Sequence, residues 1–354
     1  MSENFQNYNE NLIDTENEGA EENFAPLRGF EPEIPTEYMA RIRETKELRK
    51  NANIAGISLY LISVISFLMI LVLKIVALVT GNSQILGNLL EEPAIMQVYQ
   101  IIFSVSVFTL PFIICYKIGG YKIREFISFK RADRNLELTL FFGGVVFCLF
   151  ANIAAAYVDS IFTSFGIDYS IGETDIPKGI FGFLLYTLST AIVPAVLEEF
   201  ALRGVVLGSL RKFGDTFALI TTSICFGLMH GNFEQIPFAF MAGLVLGFVT
   251  IKTGSLRVGI AIHFLNNFIS VVFSYMRNGV LEDYQNLIYV ILLAVFLILT
   301  IFFINRTDRK EIFKIEYGSA VLTEKEKYKA FLLSIGIIVF GVANLIQAIL
   351  LCFE

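Results

Sequence analysis

Gly179-Ile-Phe-Gly-Phe-Leu-Leu-Tyr-Thr-Leu-Ser-Thr190-Ala-Ile-Val-Pro194-Ala-Val-Leu-Glu198-Glu199-Phe-Ala-Leu-Arg203 is uncharged from its first residue to Leu197, then carries two adjacent carboxylates and an arginine. An apolar run of this length crosses a hydrocarbon core of about 30 Å as a helix. In lipid, an unpaired backbone amide is too costly for a span of any other kind than a helix or a closed barrel. Similar runs recur along the chain. Candidate spans lie roughly at 53–80, 97–116, 137–158, 179–203, 216–231, 236–251, 257–276, 286–305 and 330–351. The fifth and sixth are the shortest. The expected fold is therefore all-α, a polytopic transmembrane helix bundle.

Composition agrees. The chain has 354 residues, of which 55% are hydrophobic and only 17% charged. A soluble protein of this length carries more charge. The net charge of −6 is concentrated at the N-terminus, where Glu3 to Glu37 hold ten acidic residues against one base, Arg28. Residues 1–50 read as a disordered, acidic cytoplasmic tail. Cys115, Cys148, Cys225 and Cys352 lie in or beside apolar runs without metal-like spacing, so they read as small buried hydrophobes.

Bases and acids alternate between loops. Arg41, Arg43, Lys46, Arg49 and Lys50 precede the first span, and the next loop has Glu91 and Glu92 with no base. Lys117 to Arg134 form a basic loop, and Asp159 to Asp175 an acidic one. Arg211 and Lys212 follow, then Glu234, then Lys252 and Arg257. By the preference of bases for the cytoplasmic side, the expectation is a multi-pass protein of the cell membrane with a cytoplasmic N-terminus. The run 306–329 reads as a solvated basic cytoplasmic loop, with a last helix in 330–354.

Ionisable groups inside spans are functional candidates by default. Lys74 reads as a snorkelling lysine. Glu198 and Glu199 differ in kind. Glu199 shares a helix face with Arg203, four residues on, and can pair with it. Glu198 has Leu202 at that offset and is the freer group, suited to activating a water. The only histidines, His230 and His263, occur in Phe226-Gly-Leu-Met-His230 and His263-Phe-Leu-Asn-Asn267. A lone intramembrane histidine is most often a link between helices, but two beside a double glutamate favour a site. At about 1.5 Å per residue, Glu198 and His230 lie on the order of 20 Å from their nearest cytoplasmic markers. His263 and Asn267 lie at about 9 Å and 15 Å. One shared cavity, open to the cytoplasm, is feasible. Its chemistry would be peptide hydrolysis by a glutamate-activated water, with a histidine or the asparagine holding the oxyanion. No His-Glu-x-x-His run, Gly-x-Ser-x-Gly elbow or intramembrane aspartate pair occurs.

Glu198-Glu199-x-x-x-Arg203, Phe226-x-x-x-His230 and His263-x-x-x-Asn267 resemble the three motifs of the CPBP family, the type II CAAX prenyl endopeptidases with their Abi and bacteriocin-processing relatives. Gly243 to Gly247 and Thr253 to Leu256 resemble its glycine-rich segment. The likeness covers about 180–275. It implies an eight-helix peptidase core, here 51–305, with the last helix an addition. It further implies Glu198 as general base, Asn267 orienting the water, and His230 and His263 stabilising the oxyanion. Glu199, Arg203 and Phe226 would be supporting residues. No cofactor is required on the preferred reading. A zinc ion held by His230, His263 and Glu198 is the other one, although Asn267 is a poor zinc ligand and the natural partner of His263.

The leading expectation is thus an intramembrane endopeptidase cutting membrane-associated or lipidated peptides from the cytoplasmic side. Its partners would be that substrate and the bilayer, with no nucleic acid. The rivals are a non-catalytic bacteriocin-immunity or scaffold protein and a proton-coupled transporter. No inverted repeat supports the last.

Overall fold

The computed structural model describes residues 36–81, 92–164, 166, 175–277, 281–308, 310, 312 and 321–352. The acidic tail up to residue 35 and the loop residues Asp168 and Glu173 lie outside them. The chain divides into Met1–Met39 and Ala40–Glu354. Of the first unit only the start of a helix is described, and the second unit holds the bundle.

Among the described residues every regular element is helical, as the apolar runs predict. In chain order these are α1 (Thr36–Thr80), α2 (Pro93–Ile118), α3 (Arg134–Ser164), α4 (Gly179–Phe213) and α5 (Asp215–Leu228). They continue with α6 (Gln235–Thr253), α7 (Leu256–Met276), α8 (Gln285–Ile304), α9 (Glu324–Leu332) and α10 (Ile335–Leu351). The molecule is a polytopic membrane helix bundle. Among the described residues seven helices are long and apolar enough to cross a bilayer, and an eighth span arises if α9 and α10, bent by 66°, count as one.

Three expectations need correction. Nine spans are too many, because α5 has only 14 residues and reaches about 21 Å, short of a hydrocarbon core of about 30 Å. Gly231, at φ 63°, turns the chain there. Asn232 fixes the turn, donating to the His230 carbonyl at 2.9 Å and accepting from the Gln235 amide at 2.8 Å. Secondly, the stretch 36–50, read as disordered tail, is helical and continuous with the first span. Thirdly, the end of the supposed solvated loop is helix α9. Thr323 and Glu326 form a capping box at its start, and Lys327 is buried and bonded to Glu324 at 2.7 Å. Arg41 holds Glu326 through two bonds of 2.7 and 2.8 Å.

The centre of the bundle is α4 to α7, with α3 against α6 and α7 and α2 against α4. Ala201, Leu202, Val205, Phe226, Leu246 and Ile262 are buried there. Glycines on α6 bring α5 and α6 together, since small residues let helix backbones approach closely. A Cβ on Gly243 would sit 3.0 Å from Ser223 Cα, and one on Gly247 would sit 2.6 Å from Leu219 Cδ1. Gly254, at φ 60°, closes α6, and the Ser255 hydroxyl accepts the Arg257 amide to start α7.

Helix α4 changes its winding along its length. Residues Leu188–Ile192 and Glu199–Leu207 are π-helical, and Val193–Glu198 between them is α-helical. Pro194 gives a reason for the first π segment. Its ring would clash with the carbonyl of Thr190, four residues back, and it has no N–H to offer that oxygen. A wider turn relieves the clash.

Candidate active site

Glu198 and Glu199 stand where α4 passes from α to π winding. Arg203 Nη1 donates to Glu199 Oε1 at 2.8 Å, with both side chains almost wholly buried, so the pair expected from their spacing is formed. The guanidinium also lies 4.1 Å from the Phe226 ring centre, and Nη2 donates to the Gly243 carbonyl at 3.4 Å. The close approach of α5 and α6 at Gly243 thus supplies an acceptor for a charge that lipid would not tolerate.

His263, two turns into α7, reaches the same carboxylate. Its Nδ1 donates to Glu199 Oε1 at 3.0 Å, and its Nε2 faces Glu198 Oε2 at 3.8 Å. Asn267 is therefore not the partner of His263, contrary to expectation. Two carboxylates on the facing helix hold that imidazole better than an amide one turn along its own helix. His230 Nδ1 donates to the Phe226 carbonyl at 2.8 Å. The Phe226 ring meets both imidazoles edge to face, with centres 5.1 Å from His230 and 6.1 Å from His263. One aromatic side chain thereby spaces the two histidines and covers the arginine.

Glu198, His230, His263 and Asn267 line one cavity of about 90 Å³, with Cys148, Phe238, Leu246 and Asn266 completing its walls. All four sequence candidates are brought together, from α4, from α7 and from the turn that ends α5. Glu199, Arg203 and Phe226 surround them. Lys74 is exposed on α1 and takes no part.

His230, Phe238, Asn266 and Asn267 also line a second, wider cleft of about 530 Å³. Its further walls include Asp159, Thr190, Glu234 and Ser270. These lie toward the C-terminal ends of α3 and α7, the first half of α4 and the α5–α6 turn, away from Arg211 and Lys212 at the far end of α4. The cavity therefore widens toward the acidic-loop end of the bundle, not toward the base-rich end that depth counting favoured. Counting residues gives depth along a helix but says nothing about which gap between neighbours is filled. A separate space of about 500 Å³ at the base-rich end touches Arg203, Arg211 and Lys212 but none of the four cavity residues.

Sequence reasoning missed Asn152, Asn266 and Thr190. Asn152 donates to Asn266 Oδ1 at 3.0 Å, Asn266 to Asn267 Oδ1 at 3.2 Å, and Asn267 to the Thr190 carbonyl at 3.3 Å. Asn152 carried a readable signal, an amide inside the apolar run of α3.

The donor set bears on the zinc reading. Both Nδ1 atoms give their hydrogens away, one to a carboxylate and one to a backbone carbonyl, which is how metal-binding imidazoles are commonly held. Yet among the described residues no three His, Cys, Asp or Glu side chains converge closely enough to hold a metal ion.

Comparison with known proteins points the same way as the motifs. Residues 180–269 match the family model described as type II CAAX prenyl endopeptidase Rce1-like. The chain is also similar to the membrane-embedded CAAX protease MroQ of Staphylococcus aureus (strain USA300), at 29% identity over 115 residues. That alignment covers 30% of this chain and 47% of the relative, so the chain spans about half the length of the curated relative it matches. No solved structure matches it. The resemblance read from the three motifs is thus shown for the segment that holds Glu198, His230, His263 and Asn267.

Proposed function

We propose that the chain is an intramembrane endopeptidase that hydrolyses a peptide bond of a membrane-associated or lipidated substrate with a water activated by Glu198. The observation that carries this reading is the convergence of Glu198, His230, His263 and Asn267 on one cavity, two of which, His230 and Asn267, also line a cleft of about 530 Å³.

Glu198 takes a proton from the water as its oxygen attacks the scissile carbonyl carbon. The tetrahedral oxygen then needs donors. Asn267 can offer an N–H. The histidines can offer one only from Nε2, because each Nδ1 hydrogen is already committed. Glu198 returns its proton to the leaving amine as the C–N bond breaks. Glu199 and Arg203 hold His263 and touch no substrate.

This mechanism needs no metal, and metal-free hydrolysis is part of the proposal. The paired Nδ1 donors are the observation on the side of zinc, and chelation separates the two. We place substrate access at the acidic-loop end, which the distribution of bases assigns to the outer face of the membrane. The deciding experiment uses purified protein and quenched-fluorescent CAAX-type peptides, one farnesylated and one anchored by an apolar helix. Wild type should cleave at least one, and Glu198→Gln neither. Equal activity of the two proteins, or none in either, would remove the peptidase reading and return the scaffold.

A further inference from the structure

We propose that Asn152 and Asn266 are positioning residues that fix which way the Asn267 amide faces. The inference rests on the peptidase reading and deepens it. No sequence motif points to Asn152 or Asn266, and the geometry points to both.

An asparagine amide presents an oxygen on one side and an NH₂ on the other, and neighbouring groups decide which is which. Here a backbone carbonyl stands at each end of a chain of three amides. Asn152 Nδ2 donates to the Cys148 carbonyl at 3.0 Å and to Asn266 Oδ1 at 3.0 Å. Turning this amide over would set its oxygen against two acceptors. Asn266 Oδ1 is then committed, so Asn266 offers Nδ2 to Asn267 Oδ1 at 3.2 Å. Asn267 Oδ1 is committed in turn, and its Nδ2 faces the Thr190 carbonyl at 3.3 Å. Reading from Thr190 backwards demands the same polarity, because that carbonyl also only accepts. Both ends of the relay agree.

The relay ends on the Thr190 carbonyl, within the π-helical stretch Leu188–Ile192 of α4. Asn267 reaches that oxygen from α7. One Nδ2 hydrogen is used there and the second remains. Asn267 lines the cavity with Glu198, so the relay makes it a donor toward the reacting oxygens. An N–H directed at the lone pair of the water turns the hydrogens of that water toward Glu198. The same N–H meets the oxyanion after attack.

Buried amides also bond simply because lipid offers them no water, and such a role would dock α3 against α7 and no more. The experiment separates the two with kinetics. Asn152→Asp is isosteric but offers an acceptor where the relay needs a donor. Asn152→Thr keeps a hydroxyl able to bond the Cys148 carbonyl and omits the link to Asn266, so it provides a mild variant should the carboxylate impair folding. With the farnesylated and helix-anchored peptides, both should lower kcat by about tenfold or more with KM within about twofold. In an Asn266→Ala background, the Asn152 substitutions should have no further effect. Unchanged kcat in both folded Asn152 variants, or losses that simply add to that of Asn266→Ala, overturns the relay and leaves the peptidase reading intact. A wild-type protein that cleaves nothing overturns both.

Discussion

His263 Nδ1 and Arg203 Nη1 donate to the same oxygen of Glu199, at 3.0 and 2.8 Å. One buried carboxylate oxygen thus joins the arginine of the first motif to the histidine of the third. Removing the arginine leaves that carboxylate in an apolar interior with no cation, a change that costs about 3–5 kcal/mol. Arg203→Ala should therefore lower folded yield and thermal stability in detergent, whereas Glu198→Gln should leave both near wild type while stopping turnover. Size-exclusion profiles and melting curves of the two variants check this. A normally stable Arg203→Ala would mean that Glu199 does not depend on its cation.

Phe226 should matter for geometry alone. It covers the Arg203 guanidinium and separates the two imidazoles, so Phe226→Leu removes a cation–π contact worth about 0.5–2 kcal/mol and lets the histidines shift. The expected outcome is a modest loss of stability with a larger loss of kcat. A variant with wild-type kcat would show that the ring only fills space.

Much of the fold was legible because lipid restricts the choices. Uncharged runs had to be helices, and the three motifs contained the residues that the cavity gathers. The rest depended on quantities that composition does not carry. Hydropathy marked 216–231 as a span, but Gly231 and Asn232 end α5 too early. Periodicity assumed α-helical winding through Glu199, whereas the backbone is π-helical from there to Leu207. Spacing offered Asn267 to His263, but packing of α7 on α4 delivered Glu199 instead. The direction in which the cavity widens depends on gaps between α3, α4 and α7, and no single helix encodes a gap.

The last helix is fastened to the first by contact between backbones. Gly336 N donates to Asn53 Oδ1 at 2.9 Å, and a Cβ on Gly336 would lie 2.5 Å from the Asn53 carbonyl oxygen. Gly336→Val should push α10 from α1 and lower the melting temperature. The cavity residues are on other helices, so kcat at low temperature should stay close to wild type. Loss of activity without loss of stability would give α10 a part in turnover.

Access from the acidic-loop end can be read without a substrate. Asp159 and Glu234 line the wide cleft, and Lys212 lies at the other end of α4. Single Asp159→Cys and Lys212→Cys proteins in intact cells should differ toward a membrane-impermeant maleimide, the first reacting and the second reacting only after permeabilisation. The reverse pattern would put the cleft on the cytoplasmic face and restore the orientation that depth counting suggested for the site.

The zinc and metal-free mechanisms employ the same side chains, so substitutions at Glu198, His230 or His263 cannot separate them. A zinc site requires two ring nitrogens and a carboxylate oxygen to converge on one point at about 2.0–2.2 Å. His263 Nε2 and Glu198 Oε2 stand 3.8 Å apart, and among the described residues no third side chain joins them in a group able to hold a metal. A glutamate-base site asks for less: a carboxylate beside the water and donors beyond the carbonyl. The expected outcome is that purified protein keeps its activity after exhaustive chelation and contains well under one zinc per chain. Stoichiometric zinc, with activity lost on removal and regained on return, would replace the metal-free mechanism. In that case the two Nδ1 bonds, from His263 to Glu199 and from His230 to the Phe226 carbonyl, would be the contacts that orient the ligands, and the peptidase reading would stand.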